Sequence, residues 1–193
     1  MSAKKKMKKA AVAEGVDPNA ASRENYDWYF CLLVALIICV LLFMFVVRVI
    51  DVVGTSMNPT LFNGDKMLVS GLFYKPHVGD IVVFKKDEYD PNKALVKRVI
   101  AVEGQEINMD FDNGIVYIDG QAISEPYIME PTTKKLDFIG PKTVPEGCVF
   151  VMGDNRNASM DSRVTEIGML DTRLILGKAY FVIYPLSDFR EIK

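Results

Sequence analysis

Three short segments of the chain carry residue types that could do hydrolytic chemistry. The first is GTSMNPTL at 54–61. Ser56 has small neighbours and is followed by Asn58-Pro59, a turn-forming pair. A tight turn there would expose both its hydroxyl and its backbone N–H. Taken alone, a turn serine is structural far more often than it is a nucleophile, and to react it needs a base. The only histidine, His77, sits between Pro76 and Gly79 in a turn context that suits a surface or pocket-wall residue. The second segment, ALVKRVIAV at 94–102, supplies the other candidate base. Lys97 is surrounded by Leu95, Val96, Val99 and Ile100, and desolvation of an amine disfavours its charged form. On a strand, Lys97 and Arg98 face opposite sides, so one face can hold a buried amine and the other a paired guanidinium. The same residues equally suit a charge guarding an edge strand.

The third segment is GDNRNASMDSR at 153–163, directly after the apolar run VFVM. Asp161 could pair with Arg163, Asp154 could reach Arg98, and Ser159 could hydrogen-bond a buried amine. A solvated loop of turn residues is the alternative. Composition narrows the chemistry further. The chain has 193 residues, 50% apolar and 25% charged, which is a globular balance. Its net charge of -2 offers no basic footprint for nucleic acid. One histidine and three cysteines (Cys31, Cys39, Cys148) give no metal-ligand spacing and no disulfide framework, so neither metal nor cofactor is expected.

Around these segments the elements are legible. Trp28 to Val47 is a run of 20 residues without a charge, Gly or Pro. At about 1.5 Å per residue it spans a hydrocarbon core of about 30 Å. Tyr26, Trp28 and Tyr29 sit at its entry, where amphipathic rings prefer the interface. The run is longer than the apolar core of a cleaved signal, and RVIDVVG after it offers no small-residue cleavage site, so an uncleaved anchor is expected. Lys4, Lys5, Lys6, Lys8 and Lys9 precede it. The positive-inside rule then places the N-terminus in the cytoplasm and residues 48–193 on the far side of the cell membrane. Residues 1–27 read as a disordered basic tail that touches anionic lipid.

Residues 48–193 read as one mainly β, antiparallel domain. Strands are expected at 80–84, 94–104, 114–123, 147–154 and 177–185, with a hairpin turn at Asp119-Gly120. A short helix is expected over Val164 to Leu170, and residues 124–143 read as a long loop or insertion of unassigned role. Ser56 lies nine residues past Val47, so it stands at most about 30 Å from the membrane. Its substrate would itself be membrane-tethered. Leu61-Phe62 and Leu72-Phe73-Tyr74 would either seat that face in lipid or be ordinary core residues.

Together these segments resemble the type I signal peptidase (leader peptidase) family. The likeness covers the anchor, SMNPT at 56–60, GDIVVF at 79–84, KRVIAVEG at 97–104 and GDNRNASMDSR at 153–163. It implies a membrane-bound serine protease with a Ser-Lys dyad, acting on preproteins that carry signal peptides. By that resemblance Ser56 is the nucleophile, Lys97 the general base and Ser159 the serine that orients the lysine. Asp154 with Arg98, and Asp161 with Arg163, are the structural pairs. Val52, Met57, Leu61, Val83 and Val96 line shallow apolar pockets for small side chains. The chain departs from members that carry a serine two residues before the nucleophile. Gly54 stands there, so the oxyanion hole relies on the Ser56 N–H with Thr55 or water. Two rivals are weighed. One is a self-cleaving relative of the SOS-response repressors, which share the Ser-Lys β-domain but have no membrane span. The other is an anchored non-catalytic β-domain, a scaffold or inactive paralogue.

Overall fold

A computed structural model describes residues 20–86 and 93–192. It falls into two compact units that part between Phe45 and Val46. The first holds helix α1 (Ala20–Val46). A run this apolar has no polar face to turn outward, and the side chains described along it, those of residues 26–41 and of Val46, are exposed apart from half-buried Val34 and Val46. The helix starts eight residues before the expected apolar segment. Residues 20–27, read from sequence as disordered tail, are therefore its first turns. Residues 1–19, with the lysine cluster, lie outside the described residues. Among the described residues no helix is long and apolar enough to cross a membrane.

The second unit is antiparallel β-structure. Its strands are β1 (Val47–Asp51), β2 (Lys66–Ser70), β3 (Ile81–Lys85), β4 (Ala94–Val102), β5 (Glu106–Asp110) and β6 (Ile115–Ile118). They are followed by β7 (Gln121–Ala122), β8 (Lys142–Thr143), β9 (Cys148–Met152), β10 (Leu170–Asp171), β11 (Ile175–Tyr184) and β12 (Arg190–Glu191). The larger sheet has the order β1-β2-β11-β3-β4-β9-β10, with β12 added to β11. The smaller has the order β7-β6-β5-β8.

The centre of the larger sheet is covered on both faces. Ile81 and Val83 of β3 join one core with Met57, Leu61, Met67 and Val182. Val82 and Phe84 join another with Val99, Val151, Ile167 and Leu170. Two-sided burial explains why IVVF reads as an unbroken apolar run rather than an alternation. A third core, around Ile107, Val116, Phe138 and Phe150, fills the smaller sheet. β4 lies between β3 and β9, and Lys97, where the pairing with β9 stops, is buried rather than a solvent-facing charge guarding an edge.

The hairpin at Asp119-Gly120 forms as expected, with φ of 51° and 75°. Such a pair of positive φ values matches the twist of a two-residue hairpin. The expected helix over Val164 to Leu170 does not form. The segment makes turns, with Gly168 N–H donating to the Val164 carbonyl at 2.8 Å, and Leu170 enters β10. Its apolar spacing serves burial of Val164, Ile167 and Leu170 beneath β9, not a helix face. Residues 124–143 are not a loose insertion. Thr132 and Phe138 are buried, and Lys142–Thr143 forms β8 against β5.

Candidate active site

Ser56 lies in the turn that follows β1. The turn is closed from below by Leu61 N–H donating to the Met57 carbonyl at 2.9 Å, while buried Met57 and Leu61 root it in the core. Gly54 has a φ of 96°, a conformation that a side chain would strain. Its N–H donates to Asn63 Oδ1 at 2.8 Å and is therefore occupied. The Ser56 N–H has no partner among the described residues.

β4 carries Lys97 to this turn. Lys97 Nζ is hydrogen-bonded to Ser56 Oγ at 2.8 Å and donates to the Val96 carbonyl at 3.0 Å. The residue is 3% exposed. Burial lowers its pKa to about 8 from the ordinary 10.5. Asp161 and Asp154 oppose the shift by favouring the ammonium, and Arg163 adds to it. Desolvation wins because neither carboxylate is its own counter-ion: each is already bound to an arginine. Arg98 grips Asp154 through Nε and Nη2 at 2.8 and 2.7 Å. Arg163 grips Asp161 through Nε and Nη2 at 2.9 and 2.8 Å. Both expected pairs are thus formed and fully buried.

The loop at 153–163 docks onto the serine turn. Asn155 N–H donates to the Ser56 carbonyl at 3.0 Å, and Thr60 Oγ1 donates to Asp154 Oδ2 at 2.5 Å. Gly153 makes the approach possible. A Cβ there would lie 2.3 Å from Ser159 Oγ and 2.4 Å from the Ser56 carbonyl oxygen. Ser159 is therefore beside the site, but the expected hydrogen bond from it to Lys97 is not formed. Its buried hydroxyl has no partner among the described residues.

Several residues of the site were not singled out in the sequence. Arg156 is fully buried, and its guanidinium meets Glu125 through Nη1 and Nη2 at 2.7 and 2.5 Å, Thr132 Oγ1 at 3.0 Å and the Gly153 carbonyl at 3.1 Å. Tyr127 donates to Glu125 and lies flat beneath Arg98, whose Cζ is 4.0 Å from the ring centre. Asn157 Oδ1 accepts from the backbone of Thr133 and Lys134. The unassigned segment at 124–143 is thus a strap across the polar loop.

A cleft of about 460 Å³ opens beside the pair, lined by Val52, Gly54, Ser56, Met57, Val96 and Lys97 among others. Of the five expected pocket residues, Val52, Met57 and Val96 line it. Leu61 and Val83 do not. They are fully buried behind it, in the core that supports the wall. One edge of β4 is open here: β9 pairs with it only from Arg98 to Val102, leaving Ala94–Lys97 without a paired strand on that side among the described residues. His77 is far more exposed, with its N–H and ring turned to Asp80.

Residues 25–184 match the family described as signal peptidase, peptidase S26. The probable signal peptidase I-1 of Synechocystis sp. is 43% identical over 170 residues, which cover 83% of each chain. The signal peptidase I of Bacillus licheniformis is 36% identical over 179 residues, covering 86% of this chain and 92% of that protein. A crystal structure of a signal peptidase I from Enterococcus faecalis V583, 29% identical, aligns with a TM-score of 0.46 over 54% of this chain and 97% of that one. On the family match and the identity to these relatives, the chain belongs to the signal peptidase family, peptidase S26.

Proposed function

We propose that the removal of signal peptides by this peptidase runs on Ser56 as nucleophile and Lys97 as general base. The observation that carries the reading is the buried Lys97 amine at hydrogen-bond distance from the Ser56 hydroxyl. In its neutral form the amine donates to the Val96 carbonyl and turns its lone pair to the Ser56 O–H. It takes that proton as Ser56 Oγ attacks the scissile carbonyl. The tetrahedral oxyanion points to the unoccupied Ser56 N–H. One such donor is typically worth about 3–4 kcal/mol of transition-state stabilisation. The leaving amine takes the proton from Lys97, and the acyl-enzyme remains. Water, activated by the same amine, then releases the second product. Ser159 has no hydrogen-bond partner among the described residues, so its hydroxyl is placed to orient the amine once Ser56 is acylated.

The substrate is the preprotein, bound extended along the open edge of β4, where its backbone adds hydrogen bonds that the sheet lacks. Side chains of the substrate enter a cleft walled by Val52, Met57 and Val96, which favours small residues by excluding large ones. The uncharged run of Trp28 to Val47 supports α1 as a single anchor in the cell membrane, with the N-terminus cytoplasmic and the catalytic unit outside. The lipid bilayer is thus the second partner.

Preprotein cleavage in detergent by wild type, Ser56→Ala and Lys97→Ala tests the dyad. Both variants are expected to lose turnover while remaining folded. Equal turnover in all three would leave an anchored scaffold as the better reading.

A further inference from the structure

Asn155 makes two hydrogen bonds to the turn that carries Ser56, and they bracket the serine. Its N–H donates to the Ser56 carbonyl at 3.0 Å. Its side-chain Nδ2 donates to the Thr55 carbonyl at 3.1 Å, across 100 positions of sequence. Each bond holds one of the two peptide groups that flank the Ser56 Cα. The side-chain bond is not the one an asparagine makes by default at this place. Asn155 stands at the N-cap of the short 3₁₀ helix Arg156–Ala158, where its side chain would ordinarily accept from an N–H of its own turn. It makes no such cap and reaches across to the serine turn instead.

The peptide group that Asn155 reaches is the one whose N–H belongs to Ser56. The Thr55–Ser56 bond is trans, so that N–H points opposite to the Thr55 carbonyl. Whatever fixes the carbonyl therefore aims the N–H. Two donors fix it: Asn155 Nδ2, and Asn58 N–H at 3.2 Å. The Asn58 bond lies within the turn and moves with it. Asn155 is anchored from outside, because its neighbours on both sides are held in buried ion pairs, Asp154 by Arg98 and Arg156 by Glu125. Donation to the carbonyl also polarises the amide and strengthens its N–H as a donor. The Ser56 N–H itself has no partner among the described residues.

We propose that Asn155 is the positioning residue of the oxyanion hole, holding the Thr55–Ser56 peptide so that the Ser56 N–H meets the tetrahedral intermediate. The proposal rests on Ser56 being the nucleophile. Gly54 offers no side chain beside that nucleophile, and its own N–H is occupied by Asn63, so the hole depends on how the Ser56 N–H is aimed. Asn155 acts only through this backbone group, with no part in the proton transfer.

The test compares wild type, Asn155→Asp and Asn155→Ala of the full chain in detergent. An aspartate keeps the shape of the side chain, but its carboxylate cannot donate to the Thr55 carbonyl. Both variants keep the backbone bond to the Ser56 carbonyl. On a preprotein, kcat is expected to fall about tenfold at unchanged KM, part of the roughly hundred- to thousandfold that losing an oxyanion donor costs. The pH midpoint of the rate should stay that of wild type. A peptide boronate with small side chains reads the hole directly, because its boron bonds to Ser56 Oγ and becomes a tetrahedral anion. It should bind each variant about tenfold more weakly, while the peptide amide of the same sequence, which forms no oxyanion, binds all three alike. Equal boronate affinity for wild type and variants contradicts the proposal. So does a parallel loss of boronate and amide binding, which would mean that Asn155 only holds the cleft together. Ser56→Ala separates the two readings. It should bind the boronate no better than the amide, and boronate binding as tight as wild type would remove Ser56 as nucleophile and the role of Asn155 with it.

Discussion

In the proposed mechanism the chemistry turns on Lys97, and its protonation has consequences in both rate and stability. Only the neutral amine can accept the Ser56 proton, so kcat/KM should rise with pH through a midpoint near 8, the value to which burial lowers this lysine. A pH–rate profile with its midpoint at the ordinary lysine value would contradict the assignment. The stability effect has the opposite benefit. Between about 8 and 10.5 the unfolded lysine holds a proton that the folded one has lost, so stability rises with pH across that window. Below it the chain carries the full penalty of a buried ammonium, on the order of 3 kcal/mol. Lys97→Met should therefore stabilise the fold at pH 7 while abolishing activity. Denaturant unfolding should show that gain shrinking as the pH is raised above 8.

At this scale much of the site was legible. Ser56 stood out by its turn residues, and Lys97 by its apolar neighbours among lysines that mostly lie in polar runs. Ser159 was located but its bond was not, since a local pattern reports composition and not side-chain direction. Leu61 and Val83 could not be told from pocket residues because wall and core share one apolar vocabulary.

Elements decide whether those residues meet. The amine of Lys97 is buried, while the edge of β4 at Ala94–Lys97, beyond its pairing with β9, keeps it beside a cleft. The strands of the larger sheet were readable as β-branched runs bounded by Gly and Pro. Helical spacing at Val164 to Leu170 misled because three apolar residues can face one core from a series of turns. The strap at 124–143 was opaque for a different reason. Its main contact, Glu125 to Arg156, joins residues 31 positions apart, and no local spacing announces such a pair. Glu125→Gln leaves Arg156 buried with an unpaired charge, and breaking a buried pair in this way costs about 3–5 kcal/mol. The variant should unfold at lower denaturant and lose kcat, since Arg156 also binds the Gly153 carbonyl beside Ser56. Tyr127→Phe keeps the ring beneath Arg98 and loses only one hydrogen bond, worth about 1 kcal/mol. Similar stability for the two variants would show that the strap contributes packing alone.

For the whole molecule, an apolar helix and a β-rich catalytic unit follow one another without a linker: α1 ends at Val46 and β1 begins at Val47. With α1 as the proposed membrane anchor, Ser56, nine residues past Val47, stays near the bilayer and meets substrates held there. Within the catalytic unit, two buried arginine–carboxylate pairs occupy the acids that would otherwise charge the lysine. Burial then lowers the amine's pKa to about 8. That value can be read directly by NMR titration of the Lys97 side chain in the intact chain, its signal assigned by absence in Lys97→Met. A midpoint near 8 is expected. An ammonium that stays protonated up to the ordinary lysine value of 10.5 would show that Lys97 cannot serve as the base at the pH where the enzyme works.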